Sequence, residues 1–133
     1  MIIYRPGIDF IPLKIDDITV WITPLTQEQK SQIIALMTLA DGQKEADIIA
    51  QGSMAMRYSI KDIEGIKTLD GKKYKLRFRK DGTLTDECVA ELVNMTHGEK
   101  ALVACYQLML NPSKVKVQGV EVDLKGSKVV KKK

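Results

Sequence analysis

A run of alternating apolar residues, broken by two aspartates, most constrains how this chain folds. In residues 13–22, LKIDDITVWI, the apolar positions change from odd to even across the aspartates. A two-residue turn there pairs Ile15 with Ile18 and Leu13 with Val20, which puts all four side chains on one face. The pattern therefore predicts an antiparallel hairpin with one apolar face.

Turn signals of the same kind recur twice further along the chain. Asp70-Gly71 precedes strict alternation over residues 73–79, with Tyr74, Leu76 and Phe78 on one side and basic residues on the other. In the later stretch KVKVQGVEVDL, the valines change from odd to even positions. That change predicts a small hairpin with a two-residue turn, and a single bulged strand is the alternative.

Helical segments lie between these hairpins. Thr26 and Gln29 form a capping box at the start of the first, and a second is predicted over residues 44–58. Thr85 caps a third, which ends near His97-Gly98, and a fourth runs up to a proline. We therefore predict an α+β fold, a single small domain with antiparallel hairpins and about four helices.

Charge is distributed unevenly along the chain. Lysine and arginine number 21 and the acids 17, but five lysines follow Asp123, and without them 16 basic residues face 17 acids. We predict a globular domain over residues 1–124 and a flexible lysine-rich tail over residues 125–133. The near-neutral body argues against nucleic acid as a partner, since such proteins usually spread basic residues over a face.

Neither membrane insertion nor export is expected. No stretch of the sequence approaches the roughly 18 to 20 apolar residues of a membrane span, and the N-terminus lacks the pattern of a signal peptide. Cys88 and Cys105 are the only cysteines and have no CxxC spacing, so we expect free thiols in a reducing cytoplasm.

The residues that usually carry chemistry form no recognisable active site. His97 is the only histidine, and a role in the last helical turn is favoured over catalysis. The glycines lack the spacing of phosphate-binding loops, and the acidic pairs sit at turns and caps. We therefore predict that the chain is not an enzyme and holds no cofactor or metal.

Methionine is unusually frequent for a chain of this size. There are six, and two of them lie in SMAMRY, residues 53–58. Methionine adapts to irregular gaps and is over-used on surfaces that bind variable partners. A protein-binding groove and ordinary core filling are both open interpretations.

Three longer segments share the order and residue pattern of one known family. The first is a strand segment that leads into a helix, FIPLKIDDITVWITPLT. The second contains an arginine, an extended run, a turn and an aromatic-bearing strand, AMRYSIKDIEGIKTLDGKKYKLRF. The third is a capped helix, KDGTLTDECVAELVNM. Together they resemble the tail assembly chaperones of long-tailed bacteriophages. The likeness covers roughly residues 10–110, and the C-terminal hairpin has no match in that pattern.

The resemblance implies a non-catalytic factor of the host cytoplasm that is absent from the mature virion. It implies binding to the tape measure protein, whose apolar surface is kept from aggregating, and help in recruiting the tail tube protein. The expected partner-binding surface includes Met54, Met56, Arg57 and Tyr58. Serine at both methionines is predicted to abolish co-purification of the tape measure while the fold survives.

The same resemblance offers an explanation of the terminal VVKKK. Genes of this family often carry a slippery run near their end, at which some ribosomes shift frame and append a second domain. Consecutive lysines are what an A-rich slippery sequence encodes, so a frameshift-extended form of the chain is a further expected partner. A solubilising tail or a nonspecific anion-binding arm is the alternative.

Two other functions remain open at this stage. One is a structural tail or head-tail connector subunit, which would form rings and stay in the particle. The other is a small nucleic-acid-binding regulator using the basic tail, whose affinity would fall steeply with salt. The sequence does not fix the oligomeric state, and a homo-oligomer fits each of these readings.

Overall fold

The computed structural model describes residues 3–39, 44–110, 116–117, 120–122 and 128–129. This part of the chain forms a small α+β domain with four helices, which confirms the predicted fold class. The strands are β1 (Asp9–Ile15), β2 (Ile18–Ile22), β3 (Ile60–Glu64), β4 (Lys116–Val117), β5 (Val120–Val122) and β6 (Lys128–Val129). The helices are α1 (Gln27–Leu39), α2 (Lys44–Ser59), α3 (Asp86–Asn94) and α4 (Gly98–Leu110).

The strands form an antiparallel sheet in the order β3-β2-β1-β5-β4, and β6 also pairs with β1. The first hairpin, strands β1 and β2, has the predicted register, with Ile15 opposite Ile18 and Leu13 opposite Val20. All four side chains are buried. The first predicted hairpin is therefore confirmed, because both of its arms contribute apolar residues to the same covered face.

The second predicted hairpin forms only beside its turn, where the Thr68 N–H donates to the Lys72 carbonyl and the Tyr74 N–H to the Ile66 carbonyl, both at 2.9 Å. The turn itself forms: Gly71 has φ +82° and its N–H donates to the Thr68 carbonyl at 2.9 Å. Residues 73–79, however, make only isolated bridges, and β3 pairs with β2 instead. Only part of the alternating face reaches the core, because Phe78 is 43% exposed. We call residues 65–80 the basic loop.

The C-terminal hairpin forms as predicted within the described residues. Val117 pairs with Val120 across a two-residue connection. Residues 128–129, which the sequence placed in a flexible tail, form β6 and pair with Phe10 and Asp9 of β1. The remainder of the predicted tail, including the terminal lysines, lies outside the described residues.

Both predicted helix caps are present. The Thr26 N–H donates to Gln29 Oε1 at 3.0 Å and the Gln29 N–H donates to Thr26 Oγ1 at 3.1 Å, which completes the capping box of α1. The Cys88 N–H donates to Thr85 Oγ1 at 3.2 Å at the start of α3. That helix ends at Asn94, three residues before the predicted end, because Met95 turns the chain with an extended ψ of 165°.

A close crossing of α2 and α4 supports the core. Gly52 of α2 faces Leu102 of α4, and a Cβ at Gly52 would lie 2.2 Å from Leu102 Cδ2. Glycine in a helix interior costs about 1 kcal/mol relative to alanine, and here the missing side chain lets the helices approach. On its other side α4 contacts β1, β4 and β5, so the helix layer covers one face of the sheet.

Candidate partner-binding site

The four residues predicted to bind a partner lie on the last two turns of α2. This helix packs on α4 along one side and on α1 along another, so its side chains divide between core and surface. Met56 has 0% of its surface exposed and belongs to the core. The prediction that both methionines form a partner surface is therefore wrong for Met56, because a fully buried side chain touches no partner.

The remaining methionine keeps part of its surface in solvent. Met54 is half-buried and packs against the core without entering it. The proposed double serine variant is consequently a poor test of binding. Truncating a buried methionine such as Met56 typically costs about 2–5 kcal/mol, so lost co-purification would report unfolding as readily as lost contact.

Arg57 connects three elements of the fold. Its guanidinium pairs with Asp86 in the first turn of α3, and its backbone carbonyl accepts a hydrogen bond from the Leu84 N–H at 3.1 Å. Arg79 of the basic loop reaches the same carboxylate at 2.7 Å. The hydrogen bond from Arg57 is the main reason that the pKa of Asp86 lies below its usual value of 3.8. Arg57 therefore has a structural role here.

Tyr58 links α2 to α1. Its hydroxyl donates to Gln32 Oε1 at 2.7 Å, and its ring is half-buried against the core. The bond joins the C-terminal part of α2 to α1. Tyr58 thus lies at the border of an exposed surface, and its contact shows how α1 is held.

Two exposed isoleucines on these helices were missed by the sequence analysis. Ile34 of α1 is 51% exposed and Ile49 of α2 is 57% exposed, whereas Ile33 is fully buried. Adjacent isoleucines were the available signal, because successive residues of an amphipathic helix point about 100° apart and only one of them faces the core. We call Ile34 and Ile49 the helix-pair patch. Each exposes more than half of an aliphatic side chain, which makes these two positions the candidates on α1 and α2 for contact with a partner.

A polar cluster that attaches the basic loop to α3 was also missed. The Tyr74 hydroxyl donates to Glu91 Oε1 at 2.8 Å and lies 3.4 Å from Cys88 Sγ, while the Arg77 guanidinium pairs with the same carboxylate. Burial, together with Cys88 and Glu91, raises the pKa of Tyr74 above its usual range. The cluster attaches the basic loop to α3, since Tyr74 and Arg77 both contact Glu91.

His97 lies in the loop between α3 and α4, three residues beyond the end of α3, and not in the last helical turn where the sequence placed it. Its Nδ1 is 3.2 Å from Asp16 Oδ2, and its Nε2 is 3.8 Å from Asp17 Oδ1. The sole histidine therefore joins this loop to the turn of the first hairpin. Within the described ranges, no group of three or more His, Cys, Asp or Glu side chains is placed to hold a metal ion.

Both cysteines are buried thiols without a disulfide. Burial raises the pKa of Cys105 to about 12, so its thiol is protonated at neutral pH. In the part of the chain that the structure describes, no helix combines the length and apolar character needed to cross a membrane.

Comparison of the chain with models of known families, with characterised proteins and with solved structures found no match. The function of this site therefore has to be inferred from the exposure and contacts of its own residues. Its main features are the helix-pair patch, the half-buried Met54 and Tyr58 on α2, and the basic loop attached to α3.

Proposed function

We propose that this chain is a non-catalytic tail assembly chaperone of a long-tailed bacteriophage, which binds the tape measure protein and assists tail tube assembly. The observation that carries the proposal is the helix-pair patch. Ile34 and Ile49 are more than half exposed on two helices that pack against each other. A helical apolar partner is the kind of ligand that such a surface accommodates, by placing its own apolar stripe against the patch.

The attachment of α1 is consistent with an adaptable binding surface. In the first nine residues of α1, the only fully buried side chain is Ile33, and the helix rests mainly on α2. Among these nine residues, few buried contacts oppose a shift of the first turns of α1. A partner that varies along its length, as a long tape measure does, is best held by a surface of this kind.

The remaining parts of the proposal come from the resemblance described above. The chain acts in the host cytoplasm and is absent from the mature virion. It works beside the tail tube protein and a frameshift-extended form of itself. Mass spectrometry of purified virions tests the second point, since a structural tail subunit would be recovered there in stoichiometric amount.

Co-expression with the tape measure protein of the same phage tests the binding surface. With an affinity tag on the tape measure, wild-type chain should co-purify, and the Ile34→Ser, Ile49→Ser double variant should be lost. Both side chains are more than half exposed, so serine at these positions should leave the thermal unfolding midpoint nearly unchanged. Full recovery of the double variant would contradict the proposal.

Leu69→Ser is the matched control for this experiment. Leu69 is also an exposed aliphatic side chain, at 110% relative exposure, but it lies at the tip of the basic loop. The Leu69 variant should co-purify like wild type. Equal loss with both variants would indicate general apolar stickiness, which the proposed patch does not predict.

A further inference from the structure

A groove runs between β3 and the basic loop. It has a volume of about 340 Å³ and is lined by Lys61, Asp62 and Ile63 on one side and by residues of the 73–78 segment on the other. β3 is last in the sheet order and pairs with β2 alone among the described strands. The groove therefore follows the outer edge of the sheet, where strand backbone groups are not used by a neighbouring strand.

One amide of this edge is capped by a side chain. The Ile63 N–H donates to Asp62 Oδ1 at 2.8 Å, so it is not directed at β2. Proteins often protect an exposed strand edge with a local polar or charged group of this kind. The carbonyl of an added peptide would occupy the position that Asp62 Oδ1 now holds.

The groove has a strongly positive rim. Residues 65–80 contain seven lysines and arginines against one acid, Asp70. Lys73 and Lys75 line the groove and are exposed. Lys61 is half-buried, and its Nζ donates to the Gly82 carbonyl at 2.6 Å. Within the described ranges, no carboxylate forms an ion pair with Lys61, and the groove lining carries three lysines against one acid, Asp62, so it is net positive.

We propose that β3 accepts an extended acidic peptide segment of a protein partner, which adds to the sheet in this groove as a further strand. Main-chain hydrogen bonds to the outer edge of β3 would supply affinity, and alternate carboxylates of the peptide would meet Lys61, Lys73 and Lys75. Binding at this edge is separate from the helix-pair patch and does not depend on the tail-assembly role proposed above.

A protein segment fits this groove better than a nucleic acid. A strand edge offers backbone donors and acceptors at the spacing of another peptide, which a sugar-phosphate chain does not match. Binding of single strands usually relies on aromatic rings that are free to stack on bases. Here the Tyr74 hydroxyl is engaged by Glu91, and Lys61 Nζ lies 6.0 Å from the centroid of the Phe78 ring.

Fluorescence anisotropy with a short labelled peptide of alternating glutamate and valine tests the proposal. The full-length chain should bind this peptide saturably. A version with N-methylated alternate amides cannot form the strand bonds and should bind about tenfold more weakly. In the same titration, bound peptide should slow exchange of the Ile63 amide, as followed by NMR.

Charge-reversed variants separate this groove from general electrostatic attraction. Lys73→Glu with Lys75→Glu should weaken the alternating peptide about tenfold, since each exposed lysine loses an attraction and adds a repulsion. Lys30→Glu with Lys100→Glu changes the net charge equally on α1 and α4, away from the groove and the basic loop, and should change affinity less than about twofold. Asp62→Ala removes both the amide cap and an acid from the groove, so it should bind the peptide about fivefold more tightly.

Three outcomes would overturn the proposal. One is the absence of saturable peptide binding to wild-type chain. Another is equal affinity for the peptide and its N-methylated version, which would leave only charge attraction. The third is tighter binding of a single-stranded oligothymidine of similar length than of the peptide, which would assign the basic rim to nucleic acid.

Discussion

The first hairpin and the basic loop contain similar turn-and-alternation signals, yet only the first hairpin becomes a pair of strands. In the hairpin, Leu13 and Val20 face each other and are both fully buried. In the basic loop only the arm after the turn alternates, and its Tyr74 and Leu76 are half-buried. Alternation therefore produces a paired strand where both arms have an apolar face and a layer of the fold covers it.

The largest expected difference between the two regions is in the cost of truncation. Leu13→Ala should lower the free energy of unfolding by about 2–5 kcal/mol, because it leaves a cavity in a fully buried site. Leu76→Ala should cost about 1 kcal/mol, since part of its surface is already in contact with water. Urea denaturation of both variants measures the contrast. Equal costs would show that the basic loop is as tightly packed as the hairpin.

A glycine at the border of the two regions gives a second, smaller contrast. Gly65 has φ +94°, and a Cβ there would lie 2.4 Å from the Asp17 carbonyl oxygen in the hairpin turn. Gly71 has a similar φ of +82° but open space around it.

Alanine at Gly65 should therefore cost about 3 kcal/mol, and alanine at Gly71 about 1 kcal/mol from backbone strain alone. Thermal unfolding of the two variants measures the difference. If the Gly71→Ala variant were as unstable as the Gly65→Ala variant, the close approach of the basic loop to the hairpin turn would not explain the loss of stability at Gly65.

Acid should loosen the basic loop before the first hairpin. Tyr74 and then Arg77 lower the pKa of Glu91 below its usual 4.5, and Arg57 lowers that of Asp86 below its usual 3.8. Because these pKa values are lower in the folded state than in the unfolded state, the contacts stabilise the fold at any pH above the unfolded-state pKa values. This stabilisation is lost as the pH falls through the lowered, folded-state pKa values.

NMR amide exchange measured as the pH is lowered from about 5 to about 3, and compared with the intrinsic rate at each pH, should show protection lost in the basic loop first. The emission of Trp21, the only tryptophan, reports on β2 of the first hairpin over the same range. Simultaneous transitions at both places would show that the two regions unfold as one unit. Hydrogen bonding from Arg5 also lowers the pKa of Asp9 in β1. At the lowest pH the first hairpin therefore loses stability too, which limits the difference between the two regions.

Local signals in the sequence were sufficient for much of the fold. The register of the first hairpin, the capping box at Thr26 and Gln29, and the cap at Thr85 all follow from short-range patterns and are present in the structure. Such patterns depend on residues within a few positions of one another. They can therefore be recognised without knowledge of the tertiary packing.

The candidate site was harder to predict, because exposure depends on what covers each element. Local patterns do not distinguish Met54 from Met56, but in the folded chain only Met56 is fully buried in the core. The basic loop was predicted as a strand, since nothing in its own residues shows that β2 pairs with β3 instead. The free edge of β3 is likewise a property of strand order, which alternation does not encode.

The position of β1 in the sheet has a consequence for synthesis of the chain on the ribosome. β1 lies between β2 and β5, and Leu13 of β1 pairs with Val122 of β5. This second strand partner of β1 becomes available only when β5 has been synthesised. The β1-β2-β3 part of the sheet can assemble early in translation, whereas the other side of β1 stays uncovered until the last described strands emerge. During that interval the nascent chain exposes a hydrogen-bonding strand edge, and folding should be slow compared with helical proteins of equal length.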